Sequence, residues 1–154
     1  MEYASIEREI HVEAPPEVVF EVVSRPEHIR AWWDAETDLE PMPGATGELV
    51  WGDADEPRGN VVPITVVVSE PPRVFSFRWT HPAGEEAVTG NSLLVTFELV
   101  PTGDGTTLRM TETGFRERGW ETAALQAEYQ DHVSGWDTFV PRIAAHAEQL
   151  VASR

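Results

Sequence analysis

Two ionisable side chains fall where a strand pattern calls for apolar ones. Arg8 shares its parity with Ile6, Ile10 and Val12, and Glu112 shares its parity with Leu108 and Met110. Residues two apart on a strand point to one face, so both charges are directed to the core side. Burying either alone is expensive, and pairing the two offsets that cost. Such a pair is either a structural ion pair near a sheet end or a polar anchor for a ligand carbonyl or carboxylate, the ion pair being the simpler reading. His132 is the third candidate. It lies one helical turn before Trp136, where it either lines the mouth of a pocket or sits on the surface.

Conventional catalytic motifs are missing. The chain has no G-x-S-x-G, no H-E-x-x-H, no P-loop and no dinucleotide fingerprint. Gly103-Asp104-Gly105 lacks the third glycine of such a fingerprint and reads as a hairpin turn. Asp53, Asp55 and Glu56 resemble a calcium loop only faintly, without its glycine and closing glutamate. The five histidines (His11, His28, His81, His132, His146) are scattered without ligand spacing. No metal, cofactor or catalytic residue is therefore expected.

Composition narrows the partners. The formal charge is −16, from 11 basic residues, all arginine, against 27 acidic ones. A surface this acidic repels phosphate backbones and anionic membranes, which argues against nucleic-acid and membrane partners. No apolar run approaches the roughly 18 to 20 residues a membrane span needs. Met1 to Glu9 carries Glu2, Glu7, Arg8 and Glu9 and no apolar stretch, so no secretory signal is expected. With no cysteine in 154 residues, the fold needs no oxidising compartment, and a cytoplasmic location is expected. The length fits one domain, 1–154, with a real core.

The elements that must position these residues follow from periodicity. Tyr3 to Glu13 alternates as a half-buried strand. Pro15 and Pro16 suit the first turn of a short helix carrying Val19, Phe20 and Val23. Pro26 stops it, and Ser24 with Glu27 reads as a capping box for a second helix carrying Ile29, Trp32 and Trp33. Strands are predicted over Gly47–Gly52, Gly59–Ser69, Val74–Thr80, Asn91–Val100 and Thr106–Thr113. The closely spaced turns make them antiparallel. From about Trp120 or Glu121 the pattern turns helical. Val133, Trp136, Val140, Ile143, Ala147 and Leu150 form one apolar stripe.

Strands with one apolar face and a helix with one apolar stripe combine into an α+β domain. A curved six-stranded antiparallel sheet holds the long C-terminal helix across its concave face, with two short helices after strand 1. A straight rod on a curved sheet leaves a gap, and such gaps become ligand pockets. Gly135 is expected to let the helix backbone approach the sheet while Trp136 fills the space. Pro141 removes one helical hydrogen bond and predicts a kink between Asp137 and Pro141.

Local phrases carry a family resemblance. Ala14-Pro15-Pro16-Glu17-Val18-Val19-Phe20, then Ile29 and Ala31-Trp32-Trp33, resemble the opening of the bacterial family named for the activator of the heat-shock-protein-90 ATPase. So do Gly59-Asn60-Val61, Glu70-Pro71-Pro72-Arg73-Val74 with Phe77-Arg78-Trp79, Glu112-Thr113-Gly114-Phe115 and His132-Val133-Ser134-Gly135-Trp136. That family is part of the SRPBCC (START-like, helix-grip) superfamily. The resemblance implies a helix-grip fold with an inter-layer cavity for apolar or amphipathic small molecules. It also makes the first and last strands neighbours, so that Arg8 and Glu112 meet across the ladder. It does not imply chaperone activation, since the eukaryotic co-chaperone carries an additional N-terminal domain. Pro141 and a long connection from Arg116 to Asp131, which adds a helical turn or a lid, depart from the family pattern.

Three functions follow. The leading one is a binding module for a hydrophobic small molecule. Its cavity is bounded by Trp33, Phe77, Trp79, Phe97, Met110, Trp136, Val140 and Ile143, with Arg8 and Glu112 as polar members. The others are a polyketide cyclase or aromatase-like enzyme and a protein-interaction domain of the chaperone-regulator kind. The sequence leaves the ligand open, and a homodimer is compatible with it.

Overall fold

The structure, a computed structural model, describes residues 4–51, 60–82 and 84–153. Asp53, Asp55 and Glu56 lie outside the described residues, as do Gly52 and Gly59 at the ends of two predicted strands.

Among the described residues seven strands run in the order β1 (Ser5–Val12), β2 (Glu36–Thr37), β3 (Thr46–Trp51), β4 (Asn60–Glu70), β5 (Val74–Trp79), β6 (Leu93–Thr102) and β7 (Gly105–Thr113). They form one antiparallel sheet ordered β1-β7-β6-β5-β4-β3-β2. Six of them match the expected strands to within about two residues. The seventh, β2, pairs only Glu36 with Val50 and Thr37 with Leu49, too short to show a period in sequence. Among the described residues three α-helices, α1 (Pro16–Ser24), α2 (Pro26–Trp33) and α3 (Thr122–Ala152), and a single 3-10 turn at Arg116–Arg118 complete the fold. The arrangement is the helix-grip one.

Pro16 and Pro26 each begin a helix, where the missing N–H forfeits no bond. The expected capping box does not form. Ser24 closes α1 facing inward, its hydroxyl donating to the Phe20 carbonyl at 2.6 Å, and Arg25 occupies the N-cap of α2 without a side-chain bond. Asp34 ends α2 in the left-handed region at φ 59° and accepts from Arg142 at 2.7 Å, tying α2 to α3.

The inner face of the sheet holds Ile6, Leu49, Ile64, Val66, Phe75, Phe77, Val95, Phe97, Leu108 and Met110, all buried. Against it lie Val19, Phe20 and Val23 of α1, Trp32 and Trp33 of α2, and Trp136, Val140, Ile143 and Ala147 of α3. The α3 stripe is thus the one the periodicity marks. The helix continues through Pro141 without a break. Pro141 and Asp137 are both exposed, so the carbonyl that loses its helical donor is on the solvent side of the helix, where water can serve it.

Candidate functional site

The register of the outer strands decides where the two buried-face charges go. β1 and β7 are neighbours, as expected, but Glu112 stands opposite Ile6, and Arg8 opposite Met110. The expected Arg8–Glu112 pair does not form. Arg8 reaches to the surface instead: its Nε donates to Asp137 on α3 at 2.8 Å and Nη1 donates to the Glu7 carbonyl at 2.7 Å. A long side chain can keep its stem on the sheet and its charge in water, which avoids the desolvation that pairing with Glu112 would require.

Glu112 is fully buried, between Ile6 on β1 and Val95 on β6. Three donors converge on its carboxylate. Trp79 Nε1 donates to Oε2 at 2.6 Å, Trp136 Nε1 donates to Oε1 at 2.8 Å, and His132 Nδ1 lies 2.8 Å from Oε1. An ionised carboxylate is acceptor-only, and beside one His132 Nδ1 acts as the third donor. Burial pushes the His132 pKa down, but the hydrogen bond to Glu112 and the charges of Glu112, Glu128 and Asp131 outweigh it, so the net shift is upward. The imidazole packs against Trp79 and edge-on against Phe115, with centroids at 5.3 and 5.4 Å.

This network forms the floor of an open cleft of about 920 Å³. The cleft lies between the end of α2, the ends of β3, β4 and β5, and the first half of α3. Five of its lining residues are tryptophans: Trp33, Trp51, Trp79, Trp120 and Trp136. The rings are braced against one another. Trp33 stacks on Trp32 at 5.0 Å and meets Trp79 and Trp136 at 5.0 and 5.6 Å. Trp51 donates its indole N–H to the Trp33 carbonyl at 2.7 Å. With the N–H groups of Trp51, Trp79 and Trp136 engaged by the protein, the wall facing the cleft is mostly ring carbon.

One rim is polar. Thr80 adopts φ 66°, an uncommon conformation for a β-branched residue, and its carbonyl accepts from Arg118. Arg118 also donates to the Asn91 carbonyl and lies over the Trp120 ring at 4.7 Å. The buried Thr80 Oγ1 and His81 Nδ1 have no hydrogen-bond partner, and burial lowers the His81 pKa despite the Glu85 charge. A strained residue beside unsatisfied polar atoms commonly marks a functional site.

The structure therefore brings together some of the sequence candidates and separates others. Trp33, Trp79 and Trp136 line the cleft, with His132; Glu112 lies directly beneath them. Phe77, Phe97, Met110, Val140 and Ile143 are packed in the core and outside the cleft lining. Arg8 and Met110 border a separate 280 Å³ depression. Val140, Ile143 and Ala147 of α3 are packed in the core, and the open volume lies against the first half of that helix. Gly135 lines this opening, and a Cβ added there would meet only the Phe139 ring at 4.0 Å. Its small size leaves room in the cleft and does not serve close approach to the sheet. The long connection noted in sequence supplies Arg118, Trp120, Glu128 and Asp131 to the rim. Trp51, Thr80 and His81 carried no sequence signal for this role.

Among the described residues no three His, Cys, Asp or Glu side chains are grouped to hold a metal ion, and no helix is long and apolar enough to cross a membrane.

The chain belongs to the family of activator of Hsp90 ATPase homolog 1-like proteins, whose profile matches residues 13–148. No curated protein matches it. Solved structures share the fold. Protein MLL2253 from Mesorhizobium loti is 25% identical with a TM-score of 0.72, the match covering 97% of each chain. Protein BH1534 from Bacillus halodurans is 26% identical with a TM-score of 0.65, covering 92% of this chain and 94% of that one. Aha1 from Colwellia psychrerythraea, solved as a dimer, is 18% identical with a TM-score of 0.71, covering 94% and 96%.

Proposed function

We propose that this chain is a single-domain binding protein for an apolar or amphipathic small molecule, taken up in the tryptophan-lined cleft. The observation that carries this reading is the shared tie of Trp79 and Trp136 to the buried Glu112. Indole N–H groups left facing the cleft would favour water. Tied to a carboxylate below, the rings offer mainly apolar surface, at a volume within the roughly 300–1,000 Å³ typical of ligand sites. Rings held in place in advance also lose little freedom on binding.

Catalysis of the cyclase or aromatase kind would need several polar groups converging on a bound ligand, and the cleft floor supplies chiefly His132. A protein-interaction role has less support still. The exposed large apolar residues Met42, Val61, Val67, Val88, Val100 and Val151 are spread over several elements, where a docking surface would gather them. The Colwellia relative's dimer makes a homodimer worth measuring by sedimentation.

The test is a titration of the purified chain with 1-anilinonaphthalene-8-sulfonate, followed by native mass spectrometry of the mixture. Saturable one-to-one binding, weakened by filling the cleft with Gly135→Leu, is the expected result. Binding that Gly135→Leu leaves unchanged would locate the site elsewhere and contradict the proposal.

A further inference from the structure

We propose that His132 anchors the cleft's ligand, its Nε2–H bonding an acceptor oxygen, carboxylate or carbonyl, on an otherwise apolar body. This rests on the reading of the cleft as a ligand site and names the polar feature its ligand must carry.

The geometry supports a donor with a fixed direction. Nδ1 is committed to Glu112 at 2.8 Å on the buried side. The opposite ring edge carries Nε2, which lies 3.5 Å from Glu128 Oε2, longer than a well-formed N–H···O bond of about 2.7–3.2 Å. His132 and Glu128 both line the cleft. The His132 side chain is only 9% exposed, wedged between Trp79 and Phe115, so the ring cannot swing its donor elsewhere. Glu128, by contrast, is 48% exposed and one helical turn away. A flexible, solvated carboxylate holding a pinned donor loosely is readily displaced by a better-placed oxygen.

With Nδ1 donating to Glu112, Nε2 carries a hydrogen when the ring is an imidazolium. Burial opposes that form, yet Glu112 with Glu128 and Asp131 outweighs burial, and the charged N–H makes a strong, charge-assisted bond. The other cation of the rim, Arg118, already serves the carbonyls of Thr80 and Asn91. His132 is a donor of the cleft floor with capacity to spare, alongside the unpartnered Thr80 Oγ1 and His81 Nδ1 of the rim. The exposed acids Glu128 and Asp131 would instead draw a cation to the aromatic wall, and the experiment separates the two.

Isothermal titration of the full chain at neutral pH compares four probes on one bicyclic body: 2-naphthoate, methyl 2-naphthyl ketone, 2-ethylnaphthalene and 2-naphthyltrimethylammonium. The two oxygen-bearing probes should bind at least about tenfold more tightly than 2-ethylnaphthalene, as a charge-assisted bond implies. His132→Gln should bring the four to within about threefold of one another, while Glu128→Gln should tighten 2-naphthoate binding by removing the competing carboxylate. Because Glu112 depends on His132, a second readout uses the unaltered chain: 2-naphthoate should shift the ¹⁵N resonance of His132 Nε2. Equal affinities, a preference for the ammonium probe, or an Nε2 resonance unmoved at saturation would each overturn the anchor while leaving the cleft a binding site. Failure of all four probes to bind would overturn both.

Discussion

Trp79 and Trp136, one on β5 and the other on α3, donate their indole N–H groups to the two oxygens of a single carboxylate, Glu112, at 2.6 and 2.8 Å. Sheet and helix are thereby joined through one buried anion on a third element, β7. Replacing that anion by an amide keeps the size and changes the inventory, since an amide offers one acceptor oxygen and turns two donors towards donors already present. Glu112→Gln should cost about 2–4 kcal/mol, from lost charge-assisted bonds and an unsatisfied buried group. Urea unfolding checks it, and a cost under about 1 kcal/mol would show that the three donors find other partners.

The His132–Glu112 contact should make stability depend on pH with a definite sign. A base whose pKa is higher in the folded state binds more protons there. Its contribution is full below the ordinary histidine value and is lost as pH rises through the raised, folded value. The stability difference between the parent chain and His132→Gln should therefore shrink as pH rises above the ordinary histidine range. His81 and His146 act oppositely. Burial lowers both, the His28 charge adding to it at His146. They favour the unfolded chain as pH falls through the ordinary histidine range. Urea midpoints of the parent, His132→Gln and His146→Gln between pH 5 and 9 separate the two signs.

Arg8 is the contrasting case. Its partner Asp137 is 57% exposed on the side chain and Arg8 itself 32%, and exposed pairs contribute about 0–1 kcal/mol. Arg8→Ala should lower stability by less than about 1 kcal/mol and leave probe affinity unchanged. A loss of several kcal/mol would mean the guanidinium has a buried role that its exposure does not suggest.

Gly135 separates stability from binding. A glycine inside a helix is less favourable than alanine by about 0.5–1 kcal/mol, and the added Cβ meets only ordinary contact with Phe139. Gly135→Ala should therefore raise stability by about that amount while placing a methyl group in the cleft and weakening probe binding. Gains in both would show that the cleft does not host the ligand.

The layers were legible because the periods are clean. Ile6, Ile10 and Val12 alternate, and Trp136, Val140, Ile143 and Ala147 recur at helical spacing; period and parity select the inner face. The parity of Glu112 correctly marked it as inward, but parity carries no register, so the sequence could not say that Glu112 faces Ile6 and leaves Arg8 to Asp137. The cleft was harder still. Its walls come from α2, three strand ends and α3, and strand ends lie where alternation stops informing. Thr80 is an example, since a β-branched residue is a poor candidate for a left-handed φ. Trp120 stood in a long connection, read as the start of the last helix and not as part of a binding wall. Core and cleft tryptophans look alike in sequence: Trp32 donates its indole to the Val22 carbonyl inside the core, while its neighbour Trp33 lines the opening.

That neighbouring pair supplies the most direct test of the central claim, that the cleft receives an apolar guest. The chain has six tryptophans, hence six indole N–H resonances, and a ¹H–¹⁵N titration with 2-naphthoate reads them all at once. Saturable shifts at Trp33, Trp51, Trp79, Trp120 and Trp136, with Trp32 nearly still, are the predicted result. Absence of saturable shifts, or a Trp32 response as large as the others, would contradict it.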